Sequence, residues 1–135
     1  ARAVAAALAE AGLEAADVDL LSLGANGSVA GDAREVDGLA RVFGERLADL
    51  PAAAVKSMLG EPLGAGGALQ ALAAMAALTE GRLPGIRGFG HPGEGLVPSV
   101  DAAARPLEEG VRTALVTALD FDGGACAVVL SLGEA

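Results

Sequence analysis

Aromatic residues are nearly absent from this sequence. They make up 2% of its 135 residues, with no Trp or Tyr, whereas residues classed as hydrophobic make up 53%. A core built mostly from Ala, Leu and Val fills little volume per side chain, so backbones must approach closely. This composition predicts one domain of ordinary size in which helices lie tightly on a sheet or on each other.

Cysteine, histidine and positive charge are also scarce. The single Cys126 and the single His91 exclude an internal disulfide and a metal site built on cysteine or histidine. The net charge of −9 opposes binding to phosphate backbones, so no nucleic-acid partner is expected. We predict that Cys126 is a small core residue of a strand, that His91 is exposed, and that the protein is cytoplasmic.

Long hydrophobic runs are missing too. No segment reaches the roughly 20 apolar residues that a membrane span requires. Residues 1–16 lack the basic start and the apolar centre of a signal peptide. The chain begins without Met and in a helical pattern, so we interpret it as a piece of a longer protein.

The order of the predicted elements indicates an α/β fold. Helices are predicted over 3–11, from Asp32 to about 43 or 47, and over 65–78; strands over 18–23, 52–57, 113–119 and 125–132; and irregular structure over 82–110. The first two strands, joined by a helical crossover, should be parallel. The last two should form an antiparallel hairpin around the turn at 120–124.

The predicted helix over 65–78 is apolar almost all the way round. Its only polar side chain is Gln70. A helix without a polar face belongs in the interior of a protein, so we predict a central buried helix. Met58 and Met75 are predicted to pack in the core.

Three loops follow predicted strands, at 24–31, 57–64 and 120–124. Ligand sites in open α/β sheets lie at the carboxyl ends of the strands, so these loops define the predicted site. Lys56 lies at the end of the second predicted strand and Glu61 in the loop that follows it, and the two are predicted to form a salt bridge. Asp32 is predicted to cap the following helix, with Glu35 three residues on in a capping-box arrangement.

The residues of these loops resemble motifs of the β-ketoacyl synthases, condensing enzymes with a thiolase-like fold. That family has His-Gly-Thr-Gly-Thr, Gly-Asp and Glu where this chain has Gly24-Ala-Asn-Gly-Ser28, Gly31-Asp32 and Glu35. It has Lys-Ser-x-x-Gly-His and Gly-Ala-Ala-Gly where this chain has Lys56-Ser-Met-Leu-Gly60-Glu61 and Gly64-Ala-Gly-Gly67. Its Phe-Gly-Phe-Gly-Gly turn is similar to Asp120-Phe121-Asp122-Gly123-Gly124.

The resemblance implies a thiolase-like layered half over residues 1–135, a ketosynthase-like C-terminal domain whose N-terminal half is absent from this chain. It places Lys56 at a family catalytic position that is retained. It places Gly24 and Glu61 at the positions of the two catalytic histidines. Glycine has no side-chain donor, and a carboxylate repels the negative charge that develops during condensation.

The remaining family positions have expected roles as well. Asp120 and Asp122 take the places of two phenylalanines that form a gate in the family. Acidic side chains there argue against the normal passage of an acyl chain through the tunnel. Asp32 and Glu35 are expected to be structural, as a helix cap and a buried contact to the loop of Lys56. Lys56 itself is expected to contact the loop over 24–28.

The first functional hypothesis is a non-catalytic ketosynthase-like subunit, resembling a chain length factor, in polyketide or fatty-acid biosynthesis. The resemblance implies a ketosynthase partner or a homodimer, and an acyl carrier protein; it implies no cofactor. The second hypothesis is a divergent β-ketoacyl synthase or acyltransferase whose cysteine nucleophile lies in the missing half. The third is a small stand-alone binding module, which would require the 135 residues to fold by themselves.

Overall fold

A computed structural model describes residues 1–91, 95 and 97–133, and its main feature is a four-stranded mixed sheet. The helices are α1 (Arg2–Ala11), α2 (Val29–Phe43), α3 (Lys56–Leu59) and α4 (Gly66–Glu80). The strands are β1 (Leu20–Ser22), β2 (Ala52–Ala53), β3 (Arg82–Leu83), β4 (Arg105–Pro106), β5 (Thr113–Leu119) and β6 (Ala125–Ser131). Short 3-10 helices occupy Ala15–Asp17, Gly44–Asp49 and Leu63–Ala65.

The strand order of the main sheet is β2-β1-β5-β6. β1 pairs in parallel with both β2 and β5, while β5 and β6 form an antiparallel hairpin in register from Thr113–Ser131 to Leu119–Ala125. β3 and β4 form a separate antiparallel pair. The predicted mixed α/β architecture, the parallel first pair and the closing hairpin are confirmed. The carboxyl ends of β1, β2 and β5 therefore meet at one edge of the sheet.

One face of the sheet is covered by α1 and α2. Leu21 of β1 and Leu115 of β5 pack there with Leu8 of α1 and Leu39 of α2. All four side chains are buried. Gly12 ends α1 in the left-handed conformation, with φ 68°, which glycine adopts without a steric penalty.

The opposite face is covered by α4. Leu20 and Ala114, which alternate with the residues of the first face, pack against Ala74 and Ala77 of this helix. Alanine on both sides of the contact allows the helix axis to lie close to the strands. The small-residue composition thus produces a three-layer arrangement of helix, sheet and helix.

The outer side of α4 differs from the prediction of a fully buried helix. Ala68 and Ala76 are exposed, and Leu72 is 67% exposed. Within the part of the chain that the structure describes, nothing covers this apolar side. Met58 is 49% exposed rather than packed in the core, and Met75 is half-buried.

The second predicted strand is shorter than the sequence indicated. β2 ends at Ala53, and the chain then turns into α3, so Lys56 begins a short helix and not a strand end. Backbone bonds from Ser57 N–H to Ala54 C=O and from Met58 N–H to Val55 C=O close this turn. Apolar runs of this length do not distinguish a strand from a buried turn of helix.

The predicted irregular stretch over 82–110 is mostly without regular structure, apart from β3 and β4. Residues 92–94 and 96 of this stretch lie outside the described residues. Among the helices that the structure describes, none is both long enough and apolar enough to cross a lipid bilayer.

Candidate functional site

A cavity of about 530 Å³ opens at the carboxyl edge of the sheet. The connection after β2, the start of α4 and the β5–β6 turn all contribute to its wall. Its chemically important lining residues are Lys56, Glu61, Gln70, Asp120, Phe121 and Cys126. No residue of the loop at 24–31 lines this cavity, but Asn26 of that loop contacts its wall through a hydrogen bond to Glu61.

Lys56 points its ammonium group into this region from the start of α3. Its side chain is 7% exposed, and Nζ donates to Glu61 Oε2 over 2.9 Å. The predicted salt bridge is therefore present. A Cβ atom at Gly66 would lie 3.4 Å from Lys56 Cε, so the start of α4 packs directly against the lysine side chain.

Glu61 holds three segments together through its carboxylate. Oε2 also accepts from Asn26 Nδ2 over 2.8 Å, and Oε1 accepts from the Leu63 N–H over 3.1 Å. The hydrogen bond from Asn26, together with that from Lys56, lowers the pKa of Glu61 below its ordinary value of 4.5. The expected contact between Lys56 and the loop over 24–28 is made indirectly, because Asn26 and Lys56 bind the same oxygen.

Asp32 fixes the loop that precedes α2, but it is not the helix cap. Its carboxylate accepts from the Asn26 N–H over 3.1 Å and from the Gly27 N–H over 3.0 Å. Ser28 is the N-cap, with its hydroxyl accepting from the Gly31 N–H. The capping-box prediction was wrong because Ser28 begins the helix four residues before Asp32 and places Asp32 inside the first turn.

Glu35 lies beneath the loop in the interior, where it is 5% exposed. Its Oε1 accepts from the Gly24 N–H over 2.8 Å and from Thr117 Oγ1 over 2.5 Å, while Oε2 has no partner within the described residues. Burial raises the pKa of Glu35 above 4.5, and the two hydrogen bonds oppose this rise. The prediction of a buried contact was right, but the partners are Gly24 and Thr117 and not the loop of Lys56.

Gly24 lies where a side chain would have little space. A Cβ atom there would be 3.1 Å from the Thr117 carbonyl oxygen, 3.2 Å from Glu35 Oε1 and 3.3 Å from Ala118 Cα. These distances are shorter than ordinary van der Waals contacts. The backbone of β5 and the carboxylate of Glu35 thus close around this glycine.

Gln70 joins α4 to the sheet. It is fully buried, and its Nε2 donates to the Thr117 carbonyl over 2.7 Å and to the Ser22 carbonyl over 3.4 Å. The sequence singled out Gln70 only as an exception on an apolar helix, which is the pattern of a buried polar group; its Nε2 is paired, whereas its Oε1 has no partner within the described residues. Sequence reasoning missed Asn26 and Thr117, since neither residue type nor spacing distinguishes them from ordinary loop and strand residues.

The β5–β6 turn is held by backbone bonds. Asp120 N–H donates to the Gly124 carbonyl, and Gly123 N–H donates to the Asp120 carbonyl. Gly123 has φ 89°, which explains why glycine occupies this position. Asp120 and Phe121 line the cavity, with Phe121 75% exposed, whereas Asp122 is exposed and is not part of the wall.

Two further predictions concern Cys126 and His91. Cys126 is exposed at the start of β6 and lines the cavity, so the prediction of a core residue was wrong. The strand prediction was correct, but β6 is an edge strand of the sheet and its first residues are exposed to solvent. His91 is exposed, as predicted. The described residues include no group of three His, Cys, Asp or Glu side chains placed to hold a metal ion.

The layered α/β fold, with the cavity at the carboxyl edge of its sheet, is the fold of the condensing enzymes. Residues 1–89 match the family described as "Beta-ketoacyl synthase, C-terminal domain". The chain belongs to this family.

Known proteins support the assignment over nearly the whole chain. Nodulation protein E of Rhizobium sp. (strain N33) is 34% identical over 124 residues, which are 90% of this chain and 30% of the relative. The tetracenomycin polyketide synthase ketoacyl synthase beta subunit of Streptomyces glaucescens is 36% identical over 131 residues, which are 96% of this chain and 31% of the relative. The chain therefore spans less than a third of the length of these two relatives.

The solved structure of the ishigamide ketosynthase/chain length factor has the same fold. It superposes with a TM-score of 0.86 at 28% identity and covers 97% of this chain and 32% of that one. The predicted thiolase-like ketosynthase fold is thereby confirmed.

Proposed function

We propose that this chain is the C-terminal domain of a non-catalytic ketosynthase-like subunit that partners an active β-ketoacyl synthase in polyketide or fatty-acid biosynthesis. The observation that supports this proposal most directly is the ion pair between the carboxylate of Glu61 and the ammonium group of Lys56. A condensing enzyme needs hydrogen-bond donors where negative charge develops in the transition state. At this edge of the sheet the chain presents a carboxylate and, at Gly24, no side chain at all.

The electrostatics of the site support the same function. The pKa of Glu61 is lowered, so at neutral pH it is an anion and has no proton to donate. Its ion pair with Lys56 also neutralises the cation that lines the cavity. Loss of a single oxyanion donor costs roughly 10²–10³ in rate. Replacing two donors, one of them by a negative charge, is expected to abolish condensation.

The names of the relatives agree with a paired assembly. One relative is named as a beta subunit, and one solved neighbour is a ketosynthase together with a chain length factor. The exposed apolar side of α4 is consistent with residues 1–135 being one half of a larger ketosynthase-like unit that covers this helix. We propose the acyl carrier protein as a further partner because another relative is named as a 3-oxoacyl-[acyl-carrier-protein] synthase II.

The test is an assay of the full-length protein that carries this chain. Purified alone, it should not decarboxylate a malonyl-carrier protein, and with a cognate ketosynthase the pair should elongate acyl chains. A matched variant of the ketosynthase without its nucleophile should remove the activity of the pair. Decarboxylation by the protein alone would refute the proposal and favour a divergent synthase whose nucleophile lies outside this chain.

A further inference from the structure

Three hydrogen-bond donors from three segments converge on the Glu61 carboxylate. Lys56 Nζ and Asn26 Nδ2 donate to Oε2 over 2.9 and 2.8 Å, and the Leu63 N–H donates to Oε1 over 3.1 Å. One donor is charged, one is a side-chain amide and one is a backbone amide. Such a set satisfies both oxygens of a carboxylate and resembles the way proteins bind carboxylate ligands.

The donors do not depend on Glu61 alone for their placement. Lys56 is anchored in α3 with its side chain 7% exposed. Asn26 is fixed in its loop by its own Oδ1, which accepts from the Ser28 N–H, and by Asp32, which accepts from the Asn26 N–H. Leu63 begins the 3-10 helix that leads into α4. The three donors therefore form a preformed cradle.

The cradle adjoins the cavity at the sheet edge. Lys56, Glu61 and Leu63 all line it. The Glu61 side chain is 26% exposed, so the carboxylate position is accessible from solvent. With Glu61 in place, the charged side chains that line the cavity are Lys56, Glu61 and Asp120, so its net charge is negative.

We propose that Glu61 is a specificity-determining residue: its carboxylate occupies, from within the chain, a carboxylate-binding cradle formed by Lys56, Asn26 and the Leu63 N–H. The cavity consequently excludes molecules that carry a free carboxylate and accepts uncharged ones. Removal of the Glu61 side chain converts the cradle into a binding site for small carboxylates. The inference stands on these contacts alone and does not rest on the proposed function.

The test uses Glu61→Ala in the full-length protein, with sodium acetate as the probe and sodium chloride at equal ionic strength as the reference. Acetate should shift the NMR signals of the Asn26 side-chain amide and the Leu63 N–H saturably, and should raise Tm. Neither the wild type nor Glu80→Ala, which removes an exposed glutamate at the end of α4, should respond. Adding Lys56→Met to Glu61→Ala should weaken acetate binding by roughly tenfold or more, since a charge-assisted bond is lost.

A folded Glu61→Ala protein that responds equally to acetate and chloride, or to neither, would overturn the inference. If that variant does not fold, the wild type provides the test through a pH titration. The Asn26 side-chain amide should then move with the Glu61 carboxylate, with a midpoint below 4.5. An Asn26 side-chain amide that does not follow Glu61 would also overturn the inference.

Discussion

Glu35 and Glu61 lie at the same edge of the sheet, but their pKa values are shifted in opposite directions. Glu35 is buried, accepts two neutral hydrogen bonds and has a raised pKa. Glu61 is partly exposed, accepts from an ammonium group and two amides, and has a lowered pKa. This difference shows that desolvation determines the pKa shift of Glu35 beneath Gly24, whereas charge and hydrogen-bond donation determine the pKa shift of Glu61 at the cavity.

The largest expected effect comes from removing the buried carboxylate. Glu35→Ala leaves the Gly24 N–H without its acceptor in the interior and leaves the Thr117 hydroxyl only the Ser22 carbonyl at 3.4 Å, which should lower the free energy of unfolding by about 2–3 kcal/mol. Glu61→Ala breaks a partly exposed ion pair and should cost at most about 1 kcal/mol. Urea titrations of both variants measure the difference. A larger loss for Glu61→Ala would reverse the comparison.

A smaller effect is expected from the partner of Glu35. Thr117→Val removes the hydroxyl donor at nearly constant volume and should cost about 1–2 kcal/mol. Thr113→Val on the same strand is the matched control, because its hydroxyl faces Ser131 in an exposed pair. That control should change the free energy of unfolding by less than about 0.5 kcal/mol. Equal losses in the two variants would show that Glu35 does not depend on Thr117.

The pH dependence of stability should separate the two carboxylates. The folded pKa of Glu61 is lowered, so its stabilisation is present above pH 4.5 and is lost as pH falls through its folded pKa. The folded pKa of Glu35 is raised, so its contribution to stability is fully present below pH 4.5 and is lost as pH rises through its folded pKa.

Glu61→Gln should flatten the acidic limb of the stability profile, and Glu35→Gln should flatten the limb above pH 4.5. Thermal unfolding between about pH 3 and 8 measures both limbs. If each substitution altered the opposite limb, the assignment of the two environments would be wrong.

The smallest effect is expected at Asn26. Asn26→Ala removes the leading cause of the lowered pKa of Glu61, so that pKa should move back toward 4.5. The exposed hydrogen bond itself should contribute only about 0.5–1 kcal/mol to stability. A carboxyl ¹³C titration of Glu61 measures the shift, and an unchanged midpoint would assign the lowered pKa to Lys56 alone.

Much of the fold was predictable from the sequence. The alternation of helical and strand patterns predicts the mixed sheet, the parallel first pair and the hairpin. The predictions failed where short segments are decided by tertiary contacts. Ala52 to Lys56 has no periodicity that separates a strand from a turn of helix, and Cys126 follows a buried pattern on an edge strand that the sequence does not identify as an edge.

The site was predictable only in part. Lys56 and Glu61 are five residues apart with a turn between them, so their ion pair follows from local geometry. The contact of Glu35 with Thr117 spans 82 residues and depends on β5 lying beside β1. The bond from Asn26 to Glu61 joins two loops that meet only once the sheet has formed. Contacts of this kind cannot be inferred from the local pattern of either residue.

The narrow space around Gly24 has a consequence for protein engineering. A designer who installs a histidine at this position must place its Cβ 3.1 Å from the Thr117 carbonyl and 3.3 Å from Ala118 Cα, both of which belong to the backbone of β5. Substitution at position 24 alone therefore demands that a strand shift by a few tenths of an ångström. Libraries that aim to introduce a functional side chain here should vary β5 together with position 24. A library that varies position 24 alone keeps the backbone of β5, which is already too close to the new Cβ atom.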